Sequence, residues 1–242
     1  MSDSNPLDNV RVVLCETSHP GNIGAAARAM KTMGLRALHL VKPQRFPDPE
    51  ARWRATSAID VLDEALVHGS LDDALSGVAF AVACSARTRD VAVAAASPRE
   101  AASRLIEVAC SQPVALVFGN EQYGLTTEHV NKCRLIATIP TNPAFSSLNL
   151  AAAVQVFAYE LRMSAAGGAV SPSPRELATH EEVEGFYGHL EQAMAEVGFL
   201  NPEHPKKLMP RLRRLYARAG LSTEEVNILR GILKALAHPK KR

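Results

Sequence analysis

Apolar residues come in short, unbroken runs through the first part of the chain: VRVVL (10–14), LRALHLV (35–41), AFAVACS (79–85), PVALVFG (113–119) and LIATIPT (135–141). Runs of this length, rich in β-branched residues and lacking polar alternation, predict strands covered on both faces, as in a parallel sheet. Between them the apolar positions recur at helical spacing. Asn22 to Met33 places Ile23, Ala26, Ala27, Met30 and Met33 on one face, with Gly34 where a terminating glycine belongs. Pro98 to Ala109 begins with proline in its first turn and aligns Ala102, Leu105, Ile106 and Ala109. Ser147 to Met163 is long and rich in helix formers. The alternation predicts an α/β fold, a doubly wound parallel sheet with helices on both faces.

The pattern then changes. Residues 165–180 are rich in Gly, Ser, Pro and Ala without apolar periodicity, which predicts a linker that buries no core. Thr179 and Glu182 stand at capping-box spacing before a helix expected to bury Val183, Phe186, Tyr187, Leu190, Met194 and Val197. Leu208 to Ala219 sets Leu208, Leu212, Leu215 and Tyr216 against Arg211, Arg213, Arg214 and Arg218. Ser222 and Glu225 repeat the box before a helix expected to bury Val226, Leu229, Leu233 and Leu236. The division is thus an α/β domain over 1–164, a linker over 165–180 and a small all-α domain over 181–242.

Composition adds a partner. The chain has 242 residues, 47% of them hydrophobic, enough for one core of ordinary size and an appendage. Its net charge of +2 conceals a division: residues 201–242 carry 11 Lys and Arg against 3 Glu, net +8, whereas residues 1–200 are net −6. A basic appendage predicts a polyanionic partner, and arginine, which grips phosphate bidentately, favours RNA. Cys15, Cys84, Cys110 and Cys133 form no Cys-x-x-Cys pair and have no histidine at zinc-finger spacing, so reduced thiols and no metal are expected. No basic and then apolar leader opens the chain, and no apolar run approaches the roughly 20 residues of a membrane span. A cytoplasmic protein without a membrane partner is expected.

Ligands of open α/β sheets sit beyond the carboxyl ends of the strands. The segments there are CETSHPGNIG, SARTRD, FGNEQYGL and IPTNPAFSSLNL, all rich in the small polar residues that recognise a polar ligand through the backbone. None is a Gly-x-Gly-x-x-Gly fingerprint or a P-loop, which weighs against a nicotinamide-dependent dehydrogenase and against ATP. In the first of them Pro20 and Gly21 turn the chain, Asn22 is expected to cap the following helix, and Arg28 stands two turns in, on a helix otherwise small and apolar.

Three motifs carry a resemblance. Asn22-Ile23-Gly24-Ala25-Ala26-Ala27-Arg28, then Phe118-Gly119-Asn120-Glu121-Gln122-Tyr123-Gly124-Leu125, then Ile139-Pro140 followed by Ser146-Ser147-Leu148-Asn149-Leu150-Ala151, resemble in order and spacing the motifs of the SPOUT methyltransferases. The similarity is to the branch that methylates ribose 2′-hydroxyls of RNA. Residues 16–35 and 146–163, with FYGHLEQ and VNILRGIL, extend it from about Val10 to Leu236. They narrow it to tRNA enzymes acting on cytidine or uridine at position 32 of the anticodon loop.

The resemblance implies a deep C-terminal trefoil knot in the sheet domain, a homodimer, S-adenosyl-L-methionine as cofactor and tRNA, not DNA, as partner. Carried over by position, Cys84, Ser85, Ala86, Gly119, Ile139, Ser146, Ser147 and Leu148 would line the cofactor. Arg28, Glu121, Ser147 and Asn149 would be catalytic: Arg28 as a cationic donor near the ribose hydroxyl, Ser147 and Asn149 orienting ribose or cofactor, and Glu121 holding the loop or Arg28. Asn22, Arg87, Arg89, Arg211, Arg213, Arg214 and Arg218 would meet RNA. The chain departs from the family at Asn120, where arginine is common. An enzyme of the same family acting on ribosomal RNA or at another tRNA position, and an RNA-binding protein without catalysis, are the alternative readings.

Overall fold

The computed structural model describes residues 5–85, 95–167 and 176–237. Six strands pair among them, all parallel: β1 (Val10–Cys15), β2 (Ala37–Val41), β3 (Leu66–His68), β4 (Phe80–Cys84), β5 (Val114–Phe118) and β6 (Leu135–Ala137). Their spatial order is β3-β2-β1-β5-β4-β6. Val12 of β1 lies between Leu38 and Leu116, and Leu116 in turn faces Val82. The chain moves outward from β1 to β3, crosses to β4, and returns to fill the central place with β5. A reversal of this kind opens a crevice beyond the carboxyl ends of the strands.

Helices cover both faces, which is why the central strands read as unbroken apolar runs. On one face Val13, Val41, Ala83 and Val117 join Leu71 and Ala74 of α4 (Leu71–Ala74) and Val130 of α6 (Thr127–Asn131) in one buried cluster. On the other, α7 (Leu150–Ala166) packs against α1 (Pro20–Thr32) and α5 (Pro98–Ala109), and Phe118 meets Phe157 edge to face at 5.7 Å. Two further short helices, α2 (Pro49–Ala55) and α3 (Ile59–Asp63), pack on α1.

Several boundaries differ from the sequence expectation. The run expected as a strand over 135–141 ends at Ala137, because Pro140 has no N–H to continue the ladder and the chain bends toward the strand ends. The edge strand β3 has three residues, with Leu66 and Val67 exposed, too few to give a periodic signal. Helix α1 starts at Pro20 with His19 before it, and Asn22 does not cap it; its side chain is engaged elsewhere. Helix α7 starts at Leu150 and not Ser147, because the Asn149 side chain accepts from the N–H groups of Ala151 (2.9 Å) and Ala152 (3.4 Å).

The chain divides into two compact units, Met1–Ser173 and Pro174–Arg242. The second contains α8 (His180–Glu196), α9 (Leu208–Ala219) and α10 (Thr223–Ala237). Thr179 with Glu182, and Ser222 with Glu225, form reciprocal caps. The core gathers Phe186, Tyr187, Leu190, Leu221 and Val226 around Ala178. Ala178 falls within the stretch expected as a linker without a core; its N–H donates to Leu221 O at 2.9 Å, which draws it in. Val197 and Leu236, expected to be buried, are exposed, as is Leu215 opposite the arginines of α9. Val197 and Leu236 sit at helix ends, beyond the reach of a core this small.

Tight backbone packing in the first unit gives a test. A Cβ on Gly24 would sit 2.0 Å from the carbonyl oxygen of Ala51 in α2. Gly24→Ala must force the two helices apart at a cost of about 1–3 kcal/mol. A fall of roughly 2–10 °C in the thermal midpoint is expected, read by circular dichroism.

Candidate functional site

Beyond the ends of β4, β5 and β6 lies a cavity of about 390 Å³. Cys84 and Ser85 follow β4 into it; Gly119, Asn120 and Glu121 follow β5; Ile139 and Thr141 follow β6; Ser146, Ser147 and Leu148 close it ahead of α7. Phe118, Leu150, Ala153 and Phe157 give it an apolar floor. A slot of this size, apolar beneath and edged by backbone polar groups, suits a small ligand with a flat ring and a polar tail. Gly119 is obligatory there. The β5 loop folds back so closely that a Cβ at Gly119 would lie 2.1 Å from the carbonyl carbon of Gly124.

The rim is held by polar groups. Both oxygens of Glu121 accept twice: Oε2 from the N–H (2.9 Å) and Oγ (2.8 Å) of Ser18, Oε1 from the N–H of His19 (3.2 Å) and Nδ2 of Asn22 (2.8 Å). The Oδ1 of Asn22 accepts from Nδ2 of Asn149 at 2.9 Å. Both amide orientations follow from the ends of this chain. Backbone N–H groups of α7 fix the oxygen of Asn149, so its nitrogen must face Asn22; the carboxylate then takes the nitrogen of Asn22. Burial pushes the Glu121 carboxyl up, but the bonds from Asn22 and Ser18 outweigh it and hold the group below the ordinary glutamate range. Asn120 adds a second tie: its Nδ2 donates to Glu16 O at 2.7 Å while its Oδ1 accepts from the N–H groups of Gln122 (2.8 Å) and Tyr123 (3.3 Å).

The residues singled out in the sequence fall into four groups, the last of them in the helical unit. Cys84, Ser85, Gly119, Ile139, Ser146, Ser147, Leu148 and Glu121 meet at the cavity, and Asn149 joins them through Asn22. Burial raises the Cys84 thiol well above its usual range, so it is a wall and not a nucleophile. Arg28 does not line the cavity. It is exposed on α1, and among the described residues its side chain has no hydrogen-bond or ion-pair partner. Glu121 holds the loop of residues 18–22 and not Arg28, because four donors already saturate it. Ala86, Arg87 and Arg89 lie outside the described residues.

In the helical unit, Arg211 and Arg218 are exposed and Arg214 half-buried, whereas Arg213 is already committed. Its guanidinium forks onto the carboxylate of Glu184, with Nη2 to Oε2 at 2.7 Å, and lies 4.4 Å from the ring centre of Tyr187. Burial works against its charge, but Glu184 prevails and its pKa is raised. Arg213, expected to meet RNA, is thus held by a carboxylate within the helical unit.

Sequence reading missed Ser18, the tie made by Asn120, and the floor of Phe118 and Phe157. A signal existed for Asn120, since Asn with a glycine four residues on suits a side-chain-closed turn.

The SpoU rRNA Methylase family model matches residues 9–159, and the model of the C-terminal domain of tRNA methyltransferase TrmJ matches residues 181–242. The chain is similar to the tRNA (cytidine/uridine/adenosine-2′-O-)-methyltransferase TrmJ of Pseudomonas aeruginosa, 50% identical with 94% of this chain and 93% of that one covered. It is 47% identical to the tRNA (cytidine/uridine-2′-O-)-methyltransferase TrmJ of Cronobacter sakazakii, covering 95% and 96%. The crystal structure of TrmJ from Z. mobilis ZM4 superposes with a TM-score of 0.83 at 35% identity, over 94% of this chain and 98% of the other. The chain belongs to the SpoU rRNA methylase family.

The saturated carboxylate makes the site sensitive to acid. A group whose pKa is depressed on folding stabilises above its unfolded value and loses that contribution as pH falls through the folded one. Glu121→Gln puts a donor where an acceptor is needed, so its thermal midpoint at pH 7 should lie roughly 2–6 °C below wild type. The gap should close as wild type is acidified below the ordinary glutamate range, and a gap unchanged down to acid pH would disprove the assignment.

Proposed function

We propose that this member of the SpoU methylase family is a tRNA ribose 2′-O-methyltransferase that uses S-adenosyl-L-methionine and acts on cytidine or uridine at position 32 of the anticodon loop. One observation carries the reading: loops from β4, β5 and β6 and the start of α7 line a single cavity, whose rim is tied through Glu121, Asn22 and Asn149. The curated relatives, named for tRNA 2′-O-methylation and matched over more than nine-tenths of their length, support the substrate class.

The cavity fits S-adenosyl-L-methionine in size and chemistry: about 390 Å³, an apolar floor for an adenine ring, and a glycine wall where a Cβ has no room. Ile139, Leu148, Gly119 and Ser85 would hold it. When bound it supplies a methyl group on a sulfonium centre as the electrophile. The share of the protein is to align the 2′-oxygen with that methyl and to ease loss of its proton to water. A guanidinium stays protonated, so Arg28 acts as a donor that holds the neighbouring phosphate and offsets negative charge developing on the 2′-oxygen. Ser147 and Asn149 orient the ribose. The exposure of Arg28 and its absence from the lining of its own chain's cavity support the reading that it serves the site of a second copy in a homodimer. Arg211, Arg214 and Arg218 add phosphate contacts, and the reaction belongs to the cytoplasm.

Transfer of labelled methyl from S-adenosyl-L-methionine to unmodified tRNA transcripts, followed by nuclease mapping, checks reaction and position together. Label is expected in the 2′-O-methyl nucleotide at position 32. Label at another tRNA position would correct the site, and label on ribosomal RNA alone would overturn the reading. Arg28→Ala should lower kcat about 100-fold or more while cofactor affinity by calorimetry stays unchanged.

Mixing Arg28→Ala chains with Gly119→Ala chains tests the shared site. Random pairing should restore about one quarter of wild-type activity, and no recovery in proven mixed dimers would place Arg28 in its own subunit.

A further inference from the structure

We propose that the segment joining α8 to α9 forms a separate RNA-binding pocket that takes a backbone phosphate together with an adjacent unstacked base. It rests on the reading that the substrate is RNA, and adds a site beside the arginine-rich face of α9, with which it shares Arg211.

The pocket has a volume of about 560 Å³, and its lining includes Phe199, Asn201, His204, Lys206, Lys207 and Arg211. Its charge is one-sided. Between Glu196 and Glu224 the only carboxylate side chain in the sequence is Glu203, against Lys206, Lys207 and four arginines. Arg213 is neutralised by Glu184, but among the described residues Lys206, Lys207 and Arg211 have no ion-pair partner. Cations gathered without a counter-charge repel one another, and a phosphate bound among them relieves this while releasing counterions from the nucleic acid.

Phe199 turns a phosphate site into a nucleotide site. Of the four aromatic residues in the helical unit, Phe186, Tyr187 and Tyr216 pack against each other in or beside the core. Phe199 is 71% exposed, next to Leu200 at 4%. Its exposure is imposed by the backbone: the N–H groups of Phe199 and Leu200 both donate to Met194 O, at 2.9 and 3.0 Å, which buries Leu200 and turns the ring outward. An outward ring beside free cations is the combination by which proteins hold single-stranded nucleic acid, the ring stacking on a base and the cations following the backbone.

The test is anisotropy titration of the full-length chain with an unmodified tRNA transcript at several salt concentrations. Phe199→Leu should weaken binding about five- to twentyfold while Phe199→Trp preserves it. Lys206→Ala/Lys207→Ala should weaken it and flatten the slope of log affinity against log salt by about 1.4–1.8. All three variants should keep the wild-type thermal midpoint and cofactor affinity. If Phe199→Leu and the double lysine variant bind as wild type while Arg214→Ala/Arg218→Ala binds weakly, the pocket is refuted and the RNA reading stands. If wild type binds no tRNA, the reading fails and the pocket with it. If poly-glutamate of matched charge displaces tRNA equally well and Phe199→Leu has no effect, the pocket receives an acidic protein segment and the proposal is overturned.

Discussion

A carboxylate has room for about four hydrogen bonds, and Glu121 makes four, all with the turn that carries the chain from β1 into α1. This single side chain joins segments about a hundred residues apart in the sequence, and the walls of the cavity depend on it. The β5 loop contributes Gly119, whose position is set by its close return to Gly124 and by the tie between Asn120 and Glu16. From Glu121 the order passes through Asn22 to Asn149, and so to the start of α7. The apolar floor contributes burial, but burial has no direction; the polar chain at the rim decides where each loop stops.

That chain explains what could be read from the sequence. β1, β2, β4 and β5 were legible because helices cover both faces and every position along them is asked for the same property. The reciprocal caps of α8 and α10 were legible because both partners lie within one helical turn. Asn22 does not cap for the opposite reason: its local context suits a cap, but the helix already begins at Pro20, and distant groups hold both ends of its amide, Glu121 the nitrogen and Asn149 the oxygen. Arg213 gave no local signal at all. By spacing it is one of four arginines on α9, and only the approach of Glu184 from α8 separates it from the others.

The two committed residues also show how the chain distributes its charge. Glu121 and Arg213 are partly buried, and each is surrounded by groups that satisfy it. Arg28, Arg211 and Arg218 are exposed and remain hydrated. A cation with no internal partner contributes little to folding, so its place on the surface constrains the fold weakly and leaves it available to a phosphate. The net charge of +2 sums a net −6 over residues 1–200 and a net +8 over residues 201–242, which is why the total conceals the basic character of the C-terminal stretch.

The boundary between α7 and the loop before it is where fold and site are the same question. Residues from Ser147 onward have the composition to continue the helix toward its N-terminus, and a helix started there would take Ser147 and Leu148 out of the cavity. It does not start there because the oxygen of Asn149 occupies the first free N–H groups of α7 while its nitrogen is held by Asn22. Extending the helix would require both bonds to break, and the second of them is backed by the carboxylate of Glu121. The length of α7 is thus fixed from the far side of the cavity, and the same residues that end the helix leave Ser147 and Leu148 as loop against the space where a ligand would lie.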